Sequence, residues 1–164
     1  MARVKKIKKD NGFYGIGIIN NSNELNIGTL WRSAYILGAS FIFTIDKKYK
    51  PQSSDITAAW TKIPLYHYNT FSDFKDHLPF STKIVGVEMG ELSISLGMFQ
   101  HPASAVYLLG NEQCGLQTNI TQQCHSLIKL PGDFSLNVAV AGSIVMYDRI
   151  TKECSVSHPQ SLNA

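Results

Sequence analysis

The sequence predicts an α/β fold, a mostly parallel sheet flanked by helices. Three observations predict it. Short apolar runs alternate with helix-like segments along the whole chain, the pattern of βαβ units. Several of those runs are apolar at nearly every position, as in Val106-Tyr107-Leu108-Leu109, and a strand apolar on both faces is covered on both faces. No internal repeat, low-complexity segment or linker divides the 164 residues, which suffice for one core without staples.

The first nine residues hold Arg3, Lys5, Lys6, Lys8 and Lys9, so residues 1–11 read as a flexible basic arm. Residues 13–19 form the first strand. Gly15 and Gly17 within it do not make a dinucleotide fingerprint, because they lie inside the strand and no third glycine follows at the required offset. A polar loop, 20–24, leads to a helix over 26–37 with Leu30, Ala34 and Leu37 on one stripe and Gly38 as its stop. Arg32 lies off that stripe and near the N-terminal end, where the helix dipole disfavours a cation. A residue that breaks a local rule in this way often serves a site.

Residues 40–45 form the second strand, followed by the basic turn Lys47-Lys48-Tyr49-Lys50. A short strand is expected within 58–68, where Tyr66 and His67 read as packing and surface residues. Residues 71–77 read as a short helix and 83–88 as a strand, with Gly86 admitting a close neighbour. The segment 92–99 is predicted helical, 103–109 a strand, 118–123 a short helix and 126–130 a strand that stops at Pro131-Gly132. Ser135 occupies an N-cap position for a last helix over 137–150, apolar nearly all round and therefore expected to be packed on every side. From residue 153 the composition is that of a flexible tail. The domain therefore spans 12–152, with 1–11 and 153–164 as arm and tail.

Charge narrows the partners. The net +3 is produced by the arm: of fifteen basic residues five lie in it, leaving ten against all twelve acidic residues from Asp10 onward. The body is not a general polyanion binder. Cys114, Cys124 and Cys154 show neither a paired framework nor metal-ligand spacing, so no metal is expected and a reducing, cytoplasmic setting is. No stretch has the ~20 apolar residues of a membrane span, and no signal peptide is expected from the basic start.

Three loops carry polar residues beside glycine. They are Asn26-Ile27-Gly28-Thr29-Leu30-Trp31-Arg32, Leu109-Gly110-Asn111-Glu112-Gln113-Cys114-Gly115-Leu116, and Ser135-Leu136-Asn137-Val138-Ala139-Val140-Ala141. Polar residues gathered at strand ends are the usual composition of an α/β site. Singly, each is more often a cap or a turn. In this order they resemble the three motifs of the SpoU/TrmH family in the SPOUT superfamily, N-x-G-x-x-x-R, L-G-x-E-x-x-G-L and S-L-N-V-x-V-A.

The resemblance implies a C-terminal trefoil knot, a rare exception to the rule that chains do not thread loops. It implies S-adenosylmethionine held largely by backbone groups, with contacts assigned to Gly110, Ile128, Leu130 and Leu136. The implied reaction is methyl transfer to an RNA ribose 2′-hydroxyl, with Arg32, Asn26, Glu112, Ser135 and Asn137 around the reacting group. A guanidinium holds its proton too firmly to be an ordinary base but clamps phosphate well, so Arg32 suits phosphate positioning and a role as base stays open. The short chain is close in size to minimal tRNA wobble-ribose enzymes, which makes tRNA the preferred substrate, with rRNA or a non-catalytic RNA-binding or cofactor-sensing module as alternatives. The resemblance further implies a homodimer through the C-terminal helix. Gln113 stands where the second motif commonly has glycine, which puts the loop at Glu112 in question.

Overall fold

The computed structural model describes residues 13–50 and 61–156. Its seven strands are β1 (Phe13–Ile19), β2 (Phe41–Ile45), β3 (Leu65–Tyr68), β4 (Lys83–Val87), β5 (Ile94–Ser95), β6 (Ser104–Leu109) and β7 (Ser126–Lys129). They form one parallel sheet in the order β3-β2-β1-β6-β4-β7-β5. Four helices accompany it: α1 (Glu24–Leu37), α2 (Phe71–Asp76), α3 (Thr118–Thr121) and α4 (Val138–Val156).

Period-two alternation assigns the strand residues to two cores. On β6, Ala105, Tyr107 and Leu109 face the core shared with α1 and α4, whereas Val106 and Leu108 face the core with α2 and α3. On β1 the second face is Gly15 and Gly17, and the rings of Phe41 and Phe43 occupy the space a side chain would need. The glycine pair therefore serves packing. Gly86 likewise makes room for side chains, those of Leu127, Cys124 and Leu116.

Local chemistry moves several predicted boundaries. Helix α1 starts at Glu24, because Asn23 caps it by accepting from Leu25 N–H at 3.0 Å. Asn26 thus lies inside the helix and is buried. Gly38 ends α1 at φ 84°, as expected. The predicted helix over 92–99 is not formed. Ile94 and Ser95 instead pair with β7, and a 3-10 turn, Leu96–Met98, follows with Leu96 in the core. Ser135 does not cap α4. Asn137 does, its Oδ1 accepting from Ala139 N–H at 2.9 Å and Val140 N–H at 3.3 Å. Helix α4 continues to Val156, beyond residue 152 where the domain was expected to end. The basic arm lies outside the described residues, as do residues 157–164 of the predicted tail.

Two interactions seat α4. Gly142 faces Leu30, Leu109 and Ile16 so closely that a Cβ would sit 2.6 Å from Leu30 Cδ1, and Ser143 Oγ bonds Ser33 Oγ at 2.9 Å. The small residues of this helix thus fit it against α1 and the sheet. Further along, the buried Arg149 donates to the carbonyls of Pro102 (2.7 Å) and Ala103 (3.0 Å) and to Tyr107 Oη (3.0 Å), with its guanidinium over the Tyr14 ring. The helix is not packed all round, however. Val140, Ile144 and Tyr147 are exposed and share one stripe.

The position of β7 governs the functional end of the sheet. It runs between β4 and β5, which residues 88–93 join directly, and Ile128 is level with both Val87 and Ile94. The 88–93 segment therefore crosses over β7, tied to it by Glu88 N–H to Ile128 O at 3.0 Å. No described helix is long and apolar enough to cross a membrane.

Candidate functional site

Three segments converge at the C-terminal ends of β4, β6 and β7: the crossing 88–93, the loop after β6 and the loop before α4. Between them lies a cavity of about 300 Å³. Its walls include Gly110, Glu112, Gly115, Leu130, Ser135 and Leu136. Of the residues expected to touch a cofactor, Gly110, Leu130 and Leu136 are on this wall. Ile128 is not; it is fully buried in the core one layer behind.

The loop after β6 folds back on itself. Asn111 Oδ1 accepts from Gln113 N–H at 2.9 Å and Cys114 N–H at 2.7 Å, and Gly115 N–H donates to Asn111 O at 3.0 Å. This brings Gly110 against the backbone of Gly115 and Leu116, leaving no room for a Cβ at position 110. Gln113 does not have a positive φ, so the loop forms without the glycine usual there. Asn111 supplies the turn instead.

At the rim, one side chain each from α1, the loop after β6 and the N-cap of α4 meets the other two. Asn26 Nδ2 donates to Glu112 Oε1 at 2.8 Å, and Asn137 Nδ2 donates to Glu112 Oε1 and to Asn26 Oδ1, each at 3.0 Å. The amide orientation of Asn137 is fixed by chemistry, since its oxygen must face the α4 N–H groups that it caps. Its nitrogen is then left for the ring. The carboxylate of Glu112 is held from two sides, with Oε2 making no hydrogen bond among the described residues. Asn26 is buried, whereas Glu112 and Asn137 are exposed.

The structure brings Asn26, Glu112, Asn137 and Ser135 to one place, Ser135 on the cavity wall. Arg32 is not there. It lies exposed on α1, off the wall, with no hydrogen bond or ion pair among the described residues. No cluster of potential metal ligands is found among the described residues. Glu88, at the end of β4, lines the cavity and was not singled out from sequence. Its only signal there was a carboxylate directly after the apolar run Ile84-Val85-Gly86-Val87.

Residues 16–147 match the SpoU rRNA Methylase family. The chain belongs to that family. Membership implies a C-terminal trefoil knot, with which the place of β7 between β4 and β5 is consistent. Among relatives, a mitochondrial rRNA methyltransferase 1 of Schizosaccharomyces pombe is 30% identical over 146 residues, covering 76% of this chain. The chain spans 47% of that protein's length. Among solved structures, the SpoU methyltransferase AviRb of Streptomyces viridochromogenes in complex with AdoMet superposes with a TM-score of 0.80. The identity is 22%, over 92% of this chain and 61% of that one. A structure described by 2-OH methylation of C/U34 on tRNA gives 0.76 at 21% identity, over 88% of this chain and 98% of that one.

Proposed function

We propose that this protein is an S-adenosylmethionine-dependent RNA methyltransferase acting on a ribose 2′-hydroxyl, with tRNA as its preferred substrate. The observation that carries the reading is the Asn26–Glu112–Asn137 ring, which joins the three motif segments beside a cavity lined by Gly110, Glu112 and Leu136. The cavity suits the cofactor: its volume lies at the small end of the ligand-site range, its glycines let backbone approach, and its two carboxylates suit a cation. Gly110, Leu130 and Leu136 would hold the cofactor, with Ile128 fixing the wall from behind. When bound, S-adenosylmethionine supplies a methyl group on a sulfonium.

The chain's own residues then have separable tasks. Glu112 is fixed by two amides and offers Oε2 to the hydroxyl hydrogen, which orients the attacking oxygen. Ser135, on the same wall, adds a hydroxyl donor and acceptor. Asn26 and Asn137 hold Glu112 in place. Arg32 binds the phosphate beside the target ribose.

Arg32 shares a helix face with Thr29 and Ile36, at i−3 and i+4. Thr29 borders an apolar groove with Val140, Ile144 and Tyr147. An uncovered stripe of this kind marks an interface. We therefore assign a homodimer through α1 and α4, in which Arg32 stands at the seam and serves a site completed by the second subunit.

The tRNA preference draws support from likeness, since the match takes in 98% of the structure described by C/U34 methylation. An rRNA substrate is the second reading, favoured by the relative from fission yeast. The cytoplasm is the proposed compartment, in keeping with the cysteine usage. The deciding experiment is transfer of labelled methyl to tRNA and rRNA fractions, followed by nucleoside mass spectrometry. A 2′-O-methylated nucleoside in tRNA is expected; no transfer to either fraction, or a methylated base, refutes the reading.

A further inference from the structure

Glu88 is a carboxylate on the cavity wall that none of the three motifs contains. It directly follows β4 and opens the segment that crosses β7. Its Oε1 accepts from Met89 N–H at 3.0 Å, and its Oε2 accepts from Leu116 N–H. Its backbone is fixed on both sides, since its N–H donates to Ile128 O at 3.0 Å and its carbonyl accepts from Ser93 Oγ at 2.7 Å. No ion pair to Glu88 is formed among the described residues, so the carboxylate works as an acceptor of backbone N–H groups.

Gly115 fits this contact in two respects. Its φ of +61° favours glycine, and a Cβ there would sit against both Glu88 oxygens. The returning arm of the Glu112 loop is thus shaped to receive the carboxylate. One end of that arm is closed by Asn111 and the other by Glu88.

We propose that Glu88 is a positioning residue for the cofactor cavity, its carboxylate latching the 110–116 loop to the crossing segment. The latch sets the spacing between the wall at Gly110 and Gly115 and the wall at Leu130. It also fixes the loop on which Glu112 stands. The proposal rests on the cofactor reading above, but the latch itself exists without a ligand.

The test compares Glu88→Ala and Glu88→Gln in the full chain. Glutamine keeps an oxygen for Leu116 N–H, and alanine keeps none. In cofactor-free protein, hydrogen exchange at the Leu116 amide should accelerate about tenfold in the alanine variant, the effect of about one lost hydrogen bond. The dissociation constant for S-adenosylmethionine should weaken by a similar factor, about tenfold, while kcat at saturating cofactor falls much less. Glutamine should restore both affinity and protection. Gly115→Ala, which pushes a methyl into the carboxylate from the other side, should reproduce the alanine result. Unchanged Leu116 exchange in Glu88→Ala, or a glutamine variant no better than alanine, overturns the latch. If Leu116 exchange responds to Glu88→Ala but the wild-type protein binds no S-adenosylmethionine, the cofactor reading is overturned instead, and with it the ligand assigned to the latch.

Discussion

Replacing Asn137 with serine and with alanine separates two roles that its side chain holds together. The oxygen caps α4, and the nitrogen ties Glu112 to Asn26. Serine keeps an N-cap oxygen but has no amide to offer, and alanine removes both. Loss of the cap costs about 1 kcal/mol. Loss of the amide matters little at Glu112, which is exposed and can take water instead. It matters at Asn26, 5% exposed, whose Oδ1 is left without this donor at a cost of about 1 kcal/mol. Serine should therefore destabilise by about 1 kcal/mol and alanine by about 2 kcal/mol. For a domain of this size these correspond to drops of about 3 and 6 °C in Tm. Calorimetric melting of the three proteins measures the difference. Methyl transfer should fall about 100-fold in both variants, because Glu112 loses a fixed position in each. Equal melting temperatures for serine and alanine would refute the cap, and wild-type turnover in serine would refute the ring.

Arg32→Ala should abolish methyl transfer while calorimetry finds the cofactor Kd within a few-fold of wild type, since Arg32 is off the cavity wall. Light scattering should give a dimer mass for the wild type and a monomer mass for Val140→Arg or Ile144→Arg; a monomeric wild type would sink the α1–α4 interface. Burial pushes the Cys124 thiol up to about 11, whereas Cys114 is exposed, so iodoacetamide at neutral pH should label Cys114 well before Cys124 in peptide maps. Burial holds the His101 pKa below its ordinary value, against the opposing pull of its hydrogen bond to Asp148. The folded chain thus binds fewer protons there than the unfolded one, so stability should decline as pH falls below about 6.5 and level off once His101 is protonated in both states. Melting temperatures from pH 8 to 4 for wild type and His101→Gln would show whether that slope belongs to this ring.

Sequence reasoning reached the elements whose local signals agree with their surroundings. Apolar continuity marked β1 and β6, and Gly38 marked the end of α1, because each depends on residues close in the chain. It failed where partners are distant. Residues 92–99 carry no strand signal of their own, and Ile94 and Ser95 become extended only because β7 arrives beside them. Ser135 and Asn137 both suit an N-cap, and what selects Asn137 is the pair of polar side chains, Asn26 and Glu112, waiting for its nitrogen. Ile128 seemed as available to a ligand as Leu130, yet its place in the strand puts it one layer too deep. Glu88 was invisible for the same reason: its significance is the Leu116 amide, and only the fold brings the two together. The outward stripe of α4 was legible as excess apolarity, although its small residues turned inward to α1.

The crossing over β7 also constrains the order in which this chain can assemble. Strand β5 has β7 as its sheet neighbour, and the carbonyls of Leu96 and Phe99 accept from Lys152 Nζ at 2.6 and 2.8 Å. Both anchors lie later in the chain than the segment they secure. Until residues 126–152 have arrived, the far side of that segment lacks these two fastenings. The crossing segment is thus fastened by a strand and a helix that both follow it in the chain. Such long-range closure makes for slow folding, and it ties completion of the cavity wall to residues that follow the crossing segment in the chain.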